Sequence, residues 1–220
     1  MVHHMDFAKA YVDLFDSLGT KLGPRARVSE AKISAAEKSI GKSFPLALRE
    51  YYLVCGGEKS LNRANEHLLS PDECFAIDGR IGFMAENQCV CYWAVSSRSK
   101  NDNPAVSEGY GDPDDEMSWN NCCSSFTKFM ATMLHLQAVN NGFKICEFAT
   151  FIDERAGLAK LKTGWTFVGE LKGMKAYNRD GNVICLHSTW MFGQTNVLQI
   201  GAKTKAKFDK VRSSLNLGVT

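Results

Sequence analysis

Side-chain catalysis needs partners, so the cysteines, histidines and carboxylates of this chain are tested first for spacings that could pair them. A cysteine or serine nucleophile requires a histidine within hydrogen-bond reach and a carboxylate to orient it. Beyond the first few residues the histidines are His67, His135 and His187. His135 sits within an apolar, helix-periodic stretch and His187 ends an apolar, strand-like run. Neither belongs to a nucleophile elbow or a Cys–His signature. The eight cysteines are Cys55, Cys74, Cys89, Cys91, Cys122, Cys123, Cys146 and Cys185, and they form no C-x-x-C and no Cys/His set at zinc spacing. Most interrupt apolar runs, where a free cysteine behaves as a small hydrophobe. Adjacent Cys122-Cys123 is the exception, since neighbouring cysteines can close into a strained, redox-active pair. Gly56-Gly57, Gly79 and Gly82 match no phosphate-cradling spacing, and no paired-histidine metal motif occurs. The expectation is no cofactor and no metal, with a Cys/His enzyme as the catalytic alternative.

Acid is what the chain does concentrate. Glu108, Asp112, Asp114, Asp115 and Glu116 cluster around Tyr110 in a protein whose formal net charge is +2. The surrounding residues 96–118 are polar and carry the breakers Pro104, Gly109, Gly111 and Pro113, which reads as one long loop. A calcium loop needs alternating oxygen ligands, a central glycine and a distal Glu, which Asp-Pro-Asp-Asp-Glu does not supply. The cluster is therefore either a solvated connection or an acidic recognition surface with Tyr110 as its anchor. Glu86-Asn87-Gln88 reads as a tight turn whose side chains cap backbone groups. Trp93 and Trp119 are either recognition aromatics or packing groups. The lysines of residues 203–210 read as the solvated face of a helix.

The elements that must position these residues follow from periodicity. Phe7, Tyr11, Leu14, Phe15 and Leu18 share one side of a helix over residues 6–18. Ser29 can cap a second helix with Ile33, Ala36 and Ile40 on one face, which Gly41 stops. Phe44-Pro45 restarts a third, whose apolar face is Leu48, Tyr51, Tyr52 and Cys55 and whose end is Gly56-Gly57. Short strands follow at residues 74–77 and 81–85 across Asp78-Gly79, with a strongly strand-like run at 88–95. After the acidic stretch Ser124 or Ser125 can cap a helix carrying Phe126, Phe129, Met130, Met133, Leu134 and Ala138. Four more strands are expected at 165–168, 174–177, 183–187 and 197–200, the second and third joined by residues 178–181, and a last helix at 203–215. Helices, then strands, a central helix, more strands and a final helix give an α+β fold with helices packed on a mostly antiparallel sheet.

With 220 residues, 45% hydrophobic and 23% charged, the chain suits one generous soluble domain, with a boundary in 142–164 less favoured. A net charge of +2 argues against a dedicated nucleic-acid binder. No apolar run is long enough to span a bilayer and no export signal is evident, so a cytoplasmic location is expected.

The residues around the second and third helices also carry a resemblance. Ile33 and Glu37, Gly41, Phe44-Pro45, Tyr51-Tyr52 and Gly56-Gly57 resemble the N-terminal signature of the SMI1/KNR4 (SUKH) family, with Phe44 in place of Leu and Cys55 in place of Asn. Residues 83–93 resemble its Glu-Asn-Gln and tryptophan-containing strand, residues 103–106 its Pro-Pro-Val element, residues 119–136 the helix after it, and residues 197–208 its closing strand and helix. The resemblance implies a single SUKH-like domain over 1–220, with residues 1–28 an added helical extension. It further implies a non-catalytic module, a monomer or weak homo-oligomer, whose partner is a protein and neither nucleic acid nor membrane. Bacterial members are immunity proteins that neutralise a toxin, often a nuclease, by stoichiometric binding. A regulatory scaffold of the kind linked to cell-wall synthesis and signalling is the alternative. Glu108, Tyr110, Asp112, Asp114, Asp115 and Glu116 are the expected partner-binding residues.

If the cysteines are reduced packing groups, thiol counting on denatured protein purified without oxidant should find all eight free. A stable disulfide other than Cys122–Cys123 would contradict that reading.

Overall fold

Ser29 accepts the Lys32 backbone N–H and so starts the helix Glu30–Ile40, which ends where Gly41 takes a left-handed φ of 65°. In the computed structural model, which describes residues 6–188 and 196–219, this is α2. Before it lies α1 (Phe7–Ser17), and after it come α3 (Leu46–Cys55) and the short α4 (Lys59–Asn62). The α2–α3 joint is held by one side chain. Glu37 accepts the Phe44 N–H at 2.8 Å through Oε1 and the Arg49 guanidinium at 2.7 Å through Oε2. Arg49 also pairs with Glu30, so the two helices share a small charge network. Pro45, with φ fixed at −55°, opens α3.

Six antiparallel strands follow: β1 (His67–Leu68), β2 (Phe75–Ile77), β3 (Arg80–Ala85), β4 (Cys91–Ser96), β5 (Val106–Gly111) and β6 (Met117–Cys123). Their order is β1-β3-β4-β5-β6, with β2 also on β3. Asp78-Gly79 makes the expected two-residue turn, both residues having positive φ. Two expectations change here. The run 88–95 becomes strand only from Cys91, because Cys89 has φ 58° and closes a turn onto the Glu86 carbonyl. Residues 96–118 are not one long loop, since β5 and the start of β6 lie within them.

The core of this half is an aromatic ladder. Tyr51 meets Tyr11 edge-on at 5.0 Å and Phe126 at 5.9 Å; Phe126 meets Phe83 at 5.1 Å; Phe129 meets Phe83 at 5.7 Å and Trp93 at 5.8 Å. The Tyr11 hydroxyl donates to the Ala47 carbonyl at 2.8 Å, so α1 is built into this core rather than appended to it. The Tyr51 hydroxyl donates to Asn62 Oδ1 at 2.6 Å, and Asn62 Nδ2 caps the Cys55 carbonyl at 2.7 Å.

The chain divides into two compact units, and the division falls inside α5 (Phe126–Gln137), after Phe129. The second unit contains Ser17–Gly19 and the described chain from Met130 onward. It has its own antiparallel sheet, made of β7 (Ile145–Phe151), β8 (Thr166–Leu171), β9 (Met174–Arg179), β10 (Asn182–His187), β11 (Val197–Ala202) and β12 (Leu217–Val219). The order is β12-β7-β11-β10-β9-β8. The α+β class therefore holds, but with two six-stranded sheets where one was expected.

Two helices, α6 (Glu154–Gly164) and α7 (Lys205–Leu215), bury Leu161, Phe208, Val211 and Leu215 against Tyr177, Ile184, Leu186, Leu198 and Ile200. The π-turn Ala138–Gly142 at the end of α5 takes the other face, where Gln199 Nε2 donates to the Val139 carbonyl at 3.2 Å. A sheet covered on both sides explains the nearly unbroken burial of β10 and β11. The stretch 142–164, expected only as a less favoured boundary, holds β7 and α6. Asp153 caps α6 by accepting the Ala156 N–H at 3.0 Å. The turn at residues 178–181 is tighter than expected, with only Asp180-Gly181 between paired strands.

The ladder and the joint differ in what they hold. Replacing Pro45 with glycine removes only a fixed backbone angle and should destabilise by about 1 kcal/mol. Replacing Tyr51 with alanine empties a fully buried site and strips a hydrogen bond from buried Asn62, which should cost about 3 kcal/mol or more. Denaturant melts should show that order; a neutral Tyr51→Ala would mean the ladder is not the core.

Candidate partner-binding surface

Alternation along a strand sends neighbours to opposite faces, and on β4 it separates Tyr92 from Trp93. Trp93 faces α5, its ring beside Phe129. Tyr92 lies on the outer face and meets Phe75 at 5.4 Å with the rings perpendicular. Trp119 of β6 stands opposite Gly109, which in turn stands opposite Tyr92. Two glycines make this arrangement possible. A Cβ on Gly109 would come within 2.6 Å of the Trp119 ring, and a Cβ on Gly82, opposite Phe75, within 2.2 Å of the Phe75 ring. Each ring thus occupies the space that a side chain at the glycine opposite would fill. Trp119 Nε1 donates to Asp78 Oδ2 at 3.2 Å, and the Arg80 guanidinium lies 5.0 Å from the Trp119 ring centre. Phe75, Tyr92, Trp119 and Arg80 are all half-buried, forming an aromatic strip on the solvent side of the first sheet.

The acidic residues meet this strip at one end. Asp112, Asp114, Asp115 and Glu116 are exposed in the β5–β6 turn and form no ion pair with any described residue. The turn is ordered by its own backbone: the Asp112 N–H donates to the Glu116 carbonyl at 3.2 Å and the Asp115 N–H to the Asp112 carbonyl at 3.1 Å. Asp112 Oδ1 accepts the Asp114 N–H at 2.9 Å. Tyr92 links tip and strip. Its phenol is held above the ordinary tyrosine pKa, first by burial, then by the Cys89 thiol, and then by the negative charges of Asp112 and Asp114.

Of the six residues expected to bind a partner, four gather at the tip and two do not. Glu108 is buried within β5, paired in register with Trp93 and Asn120. Tyr110 is 41% exposed but two residues along the same strand, on the face opposite Trp119. A strand stands where the breakers of residues 96–118 suggest a loop, and only a strand assigns faces. Phe75, Tyr92 and Arg80 join the strip without having been expected there; the signal available for them is Gly82 inside the strand-like run 81–85.

Two of the three described histidines are held by hydrogen bonds. Buried His135 has Nδ1 at 2.7 Å from the Ala131 carbonyl and Nε2 at 3.0 Å from Asn178 Nδ2, a pattern that a neutral Nδ1–H tautomer satisfies on both sides. His187 shares a hydrogen bond with Gln199 Oε1 at 3.2 Å, and His67 is exposed at β1. All eight cysteines are free thiols; burial pushes Cys74 up to about 12 and Cys55 and Cys185 higher still. Cys89 is exposed, outside the buried class expected for most of them. Among the described residues no group of three or more His, Cys, Asp or Glu is placed to hold a metal ion. No described helix is long and apolar enough to cross a membrane. A groove of about 550 Å³ beside α2 and α4 mixes Arg25, Arg27 and Lys32 with Glu58, Asp72 and Glu73, and the Ser70 hydroxyl at its wall donates to Glu73 Oε2 at 2.7 Å. No protein-family model, curated protein or solved structure matches the chain.

Burial of neutral His135 makes stability depend on pH. Desolvation lowers its pKa from 6.5 to about 4, so the unfolded chain binds the proton first and stability falls as pH drops from 6.5 towards 4. At pH 5 that difference amounts to about 2 kcal/mol relative to pH 7.5. His187, also lowered by burial, acts in the same direction. Denaturant titrations at the two pH values should show the loss, and His135→Gln should flatten the dependence even if it lowers stability throughout. A wild-type stability unchanged over that range would contradict the neutral, buried assignment.

Proposed function

We propose that this chain is a cytoplasmic, non-catalytic binding module of the SUKH immunity-protein kind, which neutralises a cationic toxin domain by stoichiometric binding through the outer face of its first sheet. One observation carries the proposal: the strip of Phe75, Tyr92 and Trp119 runs into four exposed carboxylates that have no cation of their own among the described residues. Half-buried aromatics give a partner flat apolar area at low entropic cost, and rim charges attract it from a distance. A toxin acting on nucleic acid must attract phosphates, so an acidic surface competes for the same field. The SUKH resemblance gains a physical rationale, because Glu37, Gly41 and Phe44-Pro45 form one hydrogen-bonded joint.

The two parts of the surface should separate kinetically. With a cognate toxin domain as partner, Asp114→Lys with Asp115→Lys should slow association about tenfold at low salt and flatten its salt dependence. Trp119→Ala should shorten the lifetime of the complex, by about thirtyfold if Trp119 is a central anchor worth about 2 kcal/mol. Tyr110→Ala, on the opposite face, should change neither. Unchanged kinetics in both of the first two variants would place the interface elsewhere.

A further inference from the structure

The groove beside α2 and α4 is lined by exposed cations that the rest of the first unit leaves unpaired. Residues 24–28 form one wall. The turn Pro24–Ala26 opens this strap, and backbone hydrogen bonds hold it to the end of α3. The Gly57 N–H donates to the Ala26 carbonyl at 2.7 Å, and the Val28 N–H to the Tyr52 carbonyl at 3.0 Å. A Cβ on Gly57 would come within 2.7 Å of the Arg25 carbonyl, so a glycine there lets the strap lie this close. Ala26 points into the core, while its neighbours Arg25 and Arg27 are exposed and line the groove. Lys32 joins them from the first turn of α2, and Lys59 from the start of α4. Arg25, Arg27, Lys32 and Lys59 form no ion pair with any described residue.

Two of the three carboxylates in the groove are already engaged. Glu58 Oε1 accepts the Ser60 N–H at 2.7 Å and so caps α4. Glu73 Oε2 accepts from the Arg63 guanidinium at 2.7 Å and from both the N–H and the hydroxyl of Ser70. Asp72 remains, exposed and within the electrostatic reach of Lys32. With Lys32 set against it, Arg25, Arg27 and Lys59 still stand in excess. Lys32 is itself placed against the local field. A cation in the first turn of a helix sits at the positive end of the helix dipole, where an anion is favoured instead. Glu30, the acid of that turn, pairs with Arg49.

The excess defines an occupant. Guanidinium groups present paired N–H donors that match phosphate oxygens, and lysines add point charge. A single phosphate ester carries about −1.5 to −2 at neutral pH, less than the three cations in excess. No aromatic side chain lines the groove, so nothing in it stacks on a nucleobase. We propose that this groove binds a small ligand with two phosphate groups and no aromatic ring, held through its oxygens by Arg25 and Arg27, with Lys32 and Lys59 supplying further positive charge. The source is a diphosphate, with adjoining phosphates, or a sugar bisphosphate, with separated ones. None of the lining residues belongs to the aromatic strip or the acidic tip, so the site does not depend on the protein-partner reading.

Calorimetric titration of the whole protein at low salt with inorganic pyrophosphate, fructose bisphosphate, orthophosphate and ADP tests this. Pyrophosphate or fructose bisphosphate should bind at least tenfold more tightly than orthophosphate. Tighter binding of the first assigns adjoining phosphates, and of the second separated ones; either supports the site. ADP, which adds a base to a diphosphate, should bind no more tightly than pyrophosphate. Arg25→Glu with Arg27→Glu should weaken the tighter ligand at least tenfold, whereas Lys160→Glu with Lys162→Glu, exposed on α6, should leave it unchanged. Lys32→Ala should weaken binding while leaving the melting temperature unchanged or higher, because it removes a cation from the helix start. Equal affinity for orthophosphate and both two-phosphate ligands would overturn the proposal. So would tighter binding of ADP than of pyrophosphate, equal losses in the α6 variant, or no binding at millimolar concentration.

Discussion

Tyr51 is the contact on which the first unit is built. Its ring touches Tyr11 from α1 and Phe126 from α5, and its hydroxyl reaches Asn62 beyond the end of α3. Elements more than a hundred residues apart in sequence thereby share one buried ring. A phenol so fully buried is forced to stay neutral, its pKa driven well up by desolvation, so its hydroxyl serves only as a hydrogen-bonding group. The same logic holds beside it, where Tyr52 donates to the Leu69 carbonyl at 2.7 Å and fixes the chain entering the sheet. Aromatic area supplies the burial, and the hydroxyls specify the geometry.

With that inner face occupied by helices, the first sheet has one face left for solvent, and its composition differs from an ordinary polar face. Gly82 and Gly109 give up side-chain contacts so that Phe75 and Trp119 can lie across them. The rings are thereby held in place without being fully buried. Arg80 and Asp78 hold Trp119 from two sides, the cation over the ring and the carboxylate at its N–H. A pre-positioned aromatic surface loses little entropy when a partner covers it, which is the physical basis for reading this face as an interface.

The second unit solves a different problem. Its sheet is covered on both sides, so polar groups entering it must be satisfied from within. His135, Asn178, Gln199 and His187 do this through side-chain and backbone hydrogen bonds. Trp165 Nε1 and Asn182 Oδ1 depart from that rule, each buried without a hydrogen bond among the described residues.

Much of this was legible in the chain itself. Ser29, Gly41, Phe44-Pro45 and the periodic Leu48, Tyr51, Tyr52 and Cys55 determine α2, α3 and their joint, because caps and helix periodicity are local properties. Asp78-Gly79 and Asp180-Gly181 likewise set tight turns, both requiring left-handed backbone that these residues tolerate. Elements β7, β12 and α6 left little signal; β7 is half-exposed along most of its length, and its partners β11 and β12 arrive some fifty residues or more later. The partition into two sheets depends on such distant pairings as well. Most telling is the acidic stretch. Its composition marked Asp112, Asp114, Asp115 and Glu116 correctly as a charged tip, but composition cannot tell which side of a strand a residue occupies. Only pairing with β4 buried Glu108, turned Tyr110 away, and brought Tyr92 and Trp119 together, because the facing of a strand is fixed by its register against a neighbour.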